Sequence, residues 1–163
     1  MSILDRPAPE AAEGLLGMTL VRRLPEGGEL RARITETEAY FRETDTACHA
    51  RFGRTKRSRV LYCPAGTIYV YLCYGVHWML NLVTGPAEDP QAVLIRGVEG
   101  ASGPGRVTKL LGIDGSLNGT VLGDGLRLED DGTRPASVSR TPRIGIGYAS
   151  PEDQARLWRF VWE

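Results

Sequence analysis

The chain is expected to adopt an α+β fold: a single domain over residues 1–163, built on a curved antiparallel β-sheet with a protruding β-hairpin and a few short helices. Three features lead there. Stretches rich in β-branched and aromatic residues recur along the sequence, glycine and proline punctuate them at short intervals, and the few helical patterns are short. Neither an internal repeat nor a βαβ alternation is present, so a parallel sheet is not indicated.

The elements follow in order. Residues 7–16 form a short helix stopped by Gly17 in the C-terminal glycine role. Residues 18–24 read as a strand, and PEGGE turns the chain into a second strand over 30–40, which makes a hairpin. Residues 41–64 are polar, basic and glycine-punctuated, the pattern of a long surface loop with one helical turn. Residues 66–84, GTIYVYLCYGVHWMLNLVT, are two buried strands broken at Tyr74-Gly75. A two-residue loop there pairs Tyr71 with Trp78, whereas a three-residue loop pairs Tyr71 with Met79 and Tyr69 with Asn81. Residues 92–96, AVLIR, form a buried strand ending in a charge, and 103–111 a glycine turn feeding a short helix whose N-terminus can hold an anion. The turn-rich stretch 112–140 contains the hairpin arm GDGLRLED, residues 142–148 alternate as RIGIGY, and RLWRFVW is the final strand.

Composition narrows the function. At 163 residues and 17.8 kDa, with 42% hydrophobic and 25% charged residues, the chain suits one globular domain and excludes a disordered or fibrous protein. No apolar run approaches the ~20 residues of a membrane helix, and MSILDRPAPEAAE carries acids and prolines where a signal segment would be basic and apolar. A cytoplasmic protein without membrane association is expected. Cys48, Cys63 and Cys73 are an odd set without a CxxC pair, which argues for reduced thiols and against a disulfide framework or zinc knuckle; no metal and no cofactor is expected. Net charge is zero, so any case for nucleic acid rests on local patches. One patch is RFGRTKRSR, where Arg51, Arg54, Lys56, Arg57 and Arg59 stand without an acid, although such a run also suits a solvated loop.

The strand over 30–40 carries the strongest chemical signal. Alternation places Leu30, Ala32, Ile34, Glu36, Glu38 and Tyr40 on one face and Arg31, Arg33, Thr35 and Thr37 on the other, so a face that begins apolar ends in acid. A buried carboxylate must be paired, neutralised or used. Either Glu36 and Glu38 are bridged to an arginine, or one is a general base beside a stacking aromatic. Convergence of this strand end with Arg96 would gather a carboxylate, a guanidinium, Tyr69, Tyr71 and His49, a set suited to a flat ring carrying positive charge. Each has an ordinary alternative: the tyrosines as core, His49 as a hydrogen-bonded structural histidine, Arg96 as the neutraliser of Glu36. Tyr74, at a hairpin tip beside Gly75, is placed either to insert into a partner or to pack on the 41–64 loop.

ETEAY at 36–40, then Asp45, Ala47 and His49, then Gly53, Arg54, Thr55 and Arg57, then YVYLCYG at 69–75, Asn81, AVLIR, GPGRVTKLLGI at 103–113 and RIGIG at 143–147 resemble the alkyladenine, or methylpurine, type of 3-methyladenine-DNA glycosylase. The motifs fall in order over nearly the whole chain. The resemblance implies a monofunctional DNA repair enzyme that flips alkylated or deaminated purines out of double-stranded DNA and hydrolyses the N-glycosidic bond, acting as a monomer. It implies Glu38 as the general base, with Arg96 and the main-chain carbonyl of Ile144 holding the water. Tyr40 would stack on one face of the base and His49 and Tyr71 on the other, with Asn81 at the pocket floor. Tyr74 would fill the gap in the duplex, and Arg106, Thr108 and Lys109 would join the basic loop on the DNA backbone. Glu36 is left as a paired structural acid.

Two rival readings use the same residues. A non-catalytic module could recognise damaged or single-stranded DNA by stacking, though it has no need of an acid facing phosphates. A glycoside hydrolase could use Glu36 and Glu38 as a carboxylate pair, but at i and i+2 they stand only ~7 Å apart along a strand, and no sugar-binding surface is evident.

Overall fold

The structure, a computed structural model, describes residues 2–163. Among the described residues, nine antiparallel strands make one curled sheet: β1 Thr19–Arg23, β2 Glu29–Phe41, β3 Ile68–Cys73, β4 His77–Val83, β5 Gln91–Val98, β6 Ala101–Ser102, β7 Leu126–Glu129, β8 Val138–Thr141 and β9 Arg159–Trp162. The main path is β3-β4-β5-β2-β1-β7, with β6 beside β5, β9 beside β2 and β8 beside β9. Three short helices accompany it, α1 Ala8–Gly14, α2 Pro104–Leu111 and α3 Pro151–Ala155. The α+β expectation holds, and among the described residues none of the helices is long and apolar enough to cross a membrane.

The main core lies under α1 and α2 and is filled by Leu15, Leu16, Leu20, Ile34, Leu80, Leu82, Ile95 and Leu111. In α1 the buried residues are Ala8, Ala11 and Ala12, small enough to let the helix backbone lie against the sheet. Thr37 Oγ1 donates to the Ala12 carbonyl at 2.7 Å. Gly17 follows at φ 96°, and a β-carbon there would sit 2.2 Å from the Thr133 carbonyl oxygen, so conformation and space both require glycine.

The predicted single face of the 30–40 strand is corrected. Pairing runs Ile34 with Val98, Glu36 with Gly97 and Thr37 with Ile95, a register shift that marks a β-bulge around Glu36. The core-facing set therefore passes from Ala32 and Ile34 to Thr37 and Ala39, and Glu36, Glu38 and Tyr40 turn to the opposite side. Gly97 permits this, because a β-carbon there would meet Glu36 Cβ at 3.0 Å. β2 also changes neighbour, bordered by β1 along Glu29 to Arg33 and by β9 along Glu36 to Glu38.

Two other expectations change. Residues 41–64 are not simply a surface loop: they carry 3-10 turns at His49–Phe52 and Ser58–Tyr62, and Cys48, Ala50, Val60, Leu61 and Tyr62 build a second core against Tyr69, Val83 and Ala92. The alternating run at 142–148 is not a strand; Arg143 and Ile146 point inward while Ile144 and Tyr148 remain half exposed. β8 falls largely within the stretch read as turn-rich, and α3 carries a helix-start signal, the Ser150 cap followed by Pro151, Glu152 and Asp153, that the sequence reading leaves unassigned. The β3–β4 hairpin has the three-residue loop, pairing Tyr69 with Asn81, Tyr71 with Met79 and Cys73 with His77. Odd-numbered residues of both arms thus face the 41–64 segment while Ile68, Val70, Leu80 and Leu82 enter the main core.

Candidate active site

Glu38 has 0% solvent exposure, and both of its oxygens are held. Oε2 accepts the main-chain N–H of Ile144 at 2.7 Å and Oε1 accepts the Tyr40 phenol at 2.8 Å. Arg96 Nη1 lies 3.8 Å from Oε1. Burial raises the Glu38 pKa, while Arg96, the Ile144 N–H, the Tyr40 phenol and Arg143 pull it down, and the balance stays above the ordinary carboxylate value. Such a carboxylate is a stronger base than a solvated one.

Glu36 is bound differently. Its Oε2 accepts Arg96 Nε at 3.0 Å and Arg159 Nε at 2.8 Å, so this acid is saturated by two guanidinium groups. The bridged alternative holds for Glu36, whereas Glu38 meets only the longer Arg96 contact and two neutral donors. Arg96 serves both, with Nε on Glu36 and Nη1 near Glu38.

Beside Glu38 the aromatic residues form a pocket. Tyr40, His49, Tyr69, Tyr71, Asn81 and Tyr148 line an inner cavity of about 40 Å³, and Tyr40, His49, Tyr71 and Tyr148 also wall an open cleft of about 400 Å³ that includes Arg57, Tyr74, Arg96 and Ile144. The cleft is of a size that takes a small ligand. The His49 ring lies 4.5 Å from Tyr71 at 63°, and its Nδ1 is 2.7 Å from the Tyr69 hydroxyl. Burial first, then the Arg57 and Arg51 charges, lower the His49 pKa to about 4, which leaves the ring neutral at physiological pH. Asn81 sits at the bottom, its Nδ2 donating to the Tyr69 and Met79 carbonyls at 3.3 and 3.4 Å. Tyr74, 93% exposed, stands at the hairpin tip with φ 53°, followed by Gly75 at φ 68°. It does not pack on the 41–64 segment.

The basic residues part company. Lys56, Arg59, Arg106 and Lys109 are exposed. Arg57 lies over the Tyr71 ring at 4.8 Å, Arg51 is stacked between Phe52 and Tyr148 at 4.4 and 4.7 Å, and Arg54 pairs with Glu88. The expectation for Thr108 is corrected: it is 3% exposed and its hydroxyl donates to the Trp78 carbonyl at 2.9 Å, so that hydroxyl is taken up inside the protein.

Sequence reasoning missed three residues at the site. Asp45 and Arg143 form a buried ion pair behind it, and Tyr148, tied by its hydroxyl to the Ala47 carbonyl at 2.8 Å, walls both cavity and cleft. All three stood within the quoted motifs or beside them, but their partners lie about a hundred positions away.

Glu38 lies directly behind Tyr40 and Ile144, two of the residues that line the cleft. The methylpurine-DNA glycosylase family model matches residues 2–102 and 99–163. A protein of Methanocella arvoryzae is 44% identical, covering 96% of this chain and 88% of its own length; one of Psychrobacter cryohalolentis is 43% identical over the same shares, and one of Myxococcus xanthus 43% identical over 96% and 87%. All three carry the name "Putative 3-methyladenine DNA glycosylase". The chain belongs to the methylpurine-DNA glycosylase family and thereby to the DNA glycosylases.

Proposed function

We propose that this protein flips alkylated or deaminated purines out of double-stranded DNA, hydrolyses the N-glycosidic bond and leaves an abasic site without cutting the strand. The observation that carries the reading is Glu38, fully buried and bound directly to two residues that line the aromatic cleft, through the Ile144 N–H and the Tyr40 phenol.

A purine inside the helical stack is unreachable, so extrusion must come first, at a cost of a few kcal/mol that is least for a damaged base. Tyr74, exposed at the hairpin tip, fills the space the base leaves and offsets part of that cost. The flipped ring enters between Tyr40 on one side and His49 with Tyr71 on the other, where a cationic N-alkylpurine gains about 1–2 kcal/mol from the aromatic faces. Asn81 at the floor excludes the guanine exocyclic amine. The Tyr69 hydroxyl lies 2.7 Å from His49 Nδ1, and in the tautomer where it donates there the imidazole proton is on Nε2, available to a neutral lesion such as hypoxanthine. Glu38 takes the proton of a water held by Arg96 and the Ile144 carbonyl and opposes the positive charge that develops on the sugar. Arg51, Arg57, Lys56, Arg59, Arg106 and Lys109 serve the phosphates, and neither metal nor cofactor takes part.

The test is base release from duplexes carrying 3-methyladenine, 7-methylguanine, hypoxanthine or ethenoadenine, read as alkali-dependent strand cleavage. Wild-type protein should release at least one lesion, and Glu38→Gln should bind the same duplex while losing about a hundredfold or more in rate. Equal rates for the two proteins on every lesion would leave the non-catalytic binder standing. Cleavage without alkali would exclude the monofunctional mechanism.

A further inference from the structure

Both walls of the site are fastened to one buried ion pair. Arg143 Nη1 and Nη2 donate to Asp45 Oδ2 and Oδ1 at 2.7 and 3.0 Å, with side-chain exposures of 0% and 1%. Asp45 in turn accepts the main-chain N–H groups of Phe41 and Ala47 at 3.0 Å each, which shapes the turn between the end of β2 and the segment bearing His49. Arg143 also donates to the Ala39 carbonyl at 2.9 Å, between Glu38 and Tyr40 on β2, and to the Asp153 carbonyl at 3.3 Å in α3. Its guanidinium lies 4.9 Å from the Tyr40 ring centre and 5.0 Å from that of Trp158. The next residue is Ile144, whose N–H holds Glu38.

Burying a guanidinium is unfavourable unless its donors are satisfied, and removing either member of such a pair strands the other charge. Here the buried pair holds the backbone at Ala39, next to the catalytic carboxylate, and the turn that leads to the aromatic wall. A planar guanidinium with donors in fixed directions can set several backbone positions at once, which a lysine cannot.

We propose that the Asp45–Arg143 pair is the positioning element of the site, fixing the Ile144 N–H on Glu38 and the spacing between the carboxylate and the His49 wall. The proposal rests on the glycosylase reading above. Arg143 touches no reacting atom; it acts through Ile144, Ala39 and Tyr40.

Arg143→Lys keeps the charge and loses the fork. Single-turnover base release from a hypoxanthine or 3-methyladenine duplex is measured across pH, alongside binding of the same duplex and thermal melting. The charged and titratable groups facing Glu38 are Tyr40 on its own strand, Arg96 on β5 and Arg143 itself. None changes charge in the variant, so a moved acid limb reports geometry. The expected result is binding within about threefold of wild type, a rate lowered by about 10- to 100-fold, and an acid limb moved to higher pH because Glu38 loses an N–H donor. A lower rate with an unmoved acid limb, or an unchanged rate, overturns the proposal and leaves the pair with a folding role alone. Should Arg143→Lys fail to fold, wild-type protein carries the test: the amide signals of Ile144 and Ala47 should both follow the titration of Glu38, and a response confined to Ile144 refutes the coupling. This amide measurement does not depend on catalysis, so it stands even if no lesion is released and the proposed function falls.

Discussion

The phenol of Tyr40 donates a 2.8 Å hydrogen bond to Glu38 Oε1, joining two residues that share one face of β2 beyond its bulge. The stacking residue expected from the sequence is also a donor to the base expected from the sequence. Burial first, and then the Glu38 charge, push the Tyr40 pKa well above its usual value, so the phenol keeps its proton and remains a donor throughout the working range.

Tyr40→Phe should therefore separate the two roles. The ring is kept and the donor is lost, so the Glu38 pKa, already raised, should rise further. Base release should fall at neutral pH and recover as pH rises, with the acid limb of single-turnover release displaced upward. Loss of a hydrogen bond to a buried charge should also lower stability at neutral pH by about 2 kcal/mol, measurable by denaturant unfolding.

His49 should leave a pH signature in stability. Its folded pKa of about 4 lies below the usual 6.5, so the unfolded chain binds the extra proton in between. Stability from this group is complete above 6.5 and is lost as pH falls toward 4, on the order of 3 kcal/mol in all. Glu38 works in the opposite sense, since a raised carboxylate pKa favours the folded state at low pH and withdraws that support as pH rises through it. His49→Gln should flatten the fall in unfolding free energy between pH 6.5 and 4, as followed by urea titration at fixed pH steps.

Tyr74 occupies a left-handed conformation at φ 53° while almost wholly exposed. A bulky side chain there is strained by about 1 kcal/mol, and no packing repays it. Tyr74→Asn should raise the melting temperature by about 3 °C and lower base release from duplex by about tenfold. Release from a single-stranded lesion, which leaves no gap to fill, should be affected much less. A variant that is more stable and equally active on duplex would remove Tyr74 from the flipping step.

The basic residues should sort by salt dependence. Replacing Lys56, Arg59, Arg106 or Lys109 by glutamine should each reduce the slope of log binding constant against log salt by about 1 if the residue meets a phosphate. Arg54, already paired with Glu88, should change it less, and Thr108→Val should leave it unchanged.

Much of the site was legible because its parts are local. Strand composition identifies β2 through β5, the three-residue hairpin loop is one of the two registers left open by the sequence, and Glu36 is a paired acid, as the resemblance implies. The face of β2 was not legible, because a bulge leaves the residue types unchanged while exchanging the sides they occupy. Nor was the 142–148 segment, where alternation suggested a strand and the need to bury Arg143 against Asp45 produced a loop instead.

By itself the sequence determined strands β1 through β5 and β9, the order of the motifs and the residue types that can act as base, stack and wedge. Only the tertiary structure decided which groups hold each carboxylate. That depends on Arg159 reaching Glu36 from 123 positions away and the Ile144 N–H reaching Glu38 from 106. A carboxylate's environment is set by the groups that meet it in space, and no period along the chain encodes those meetings.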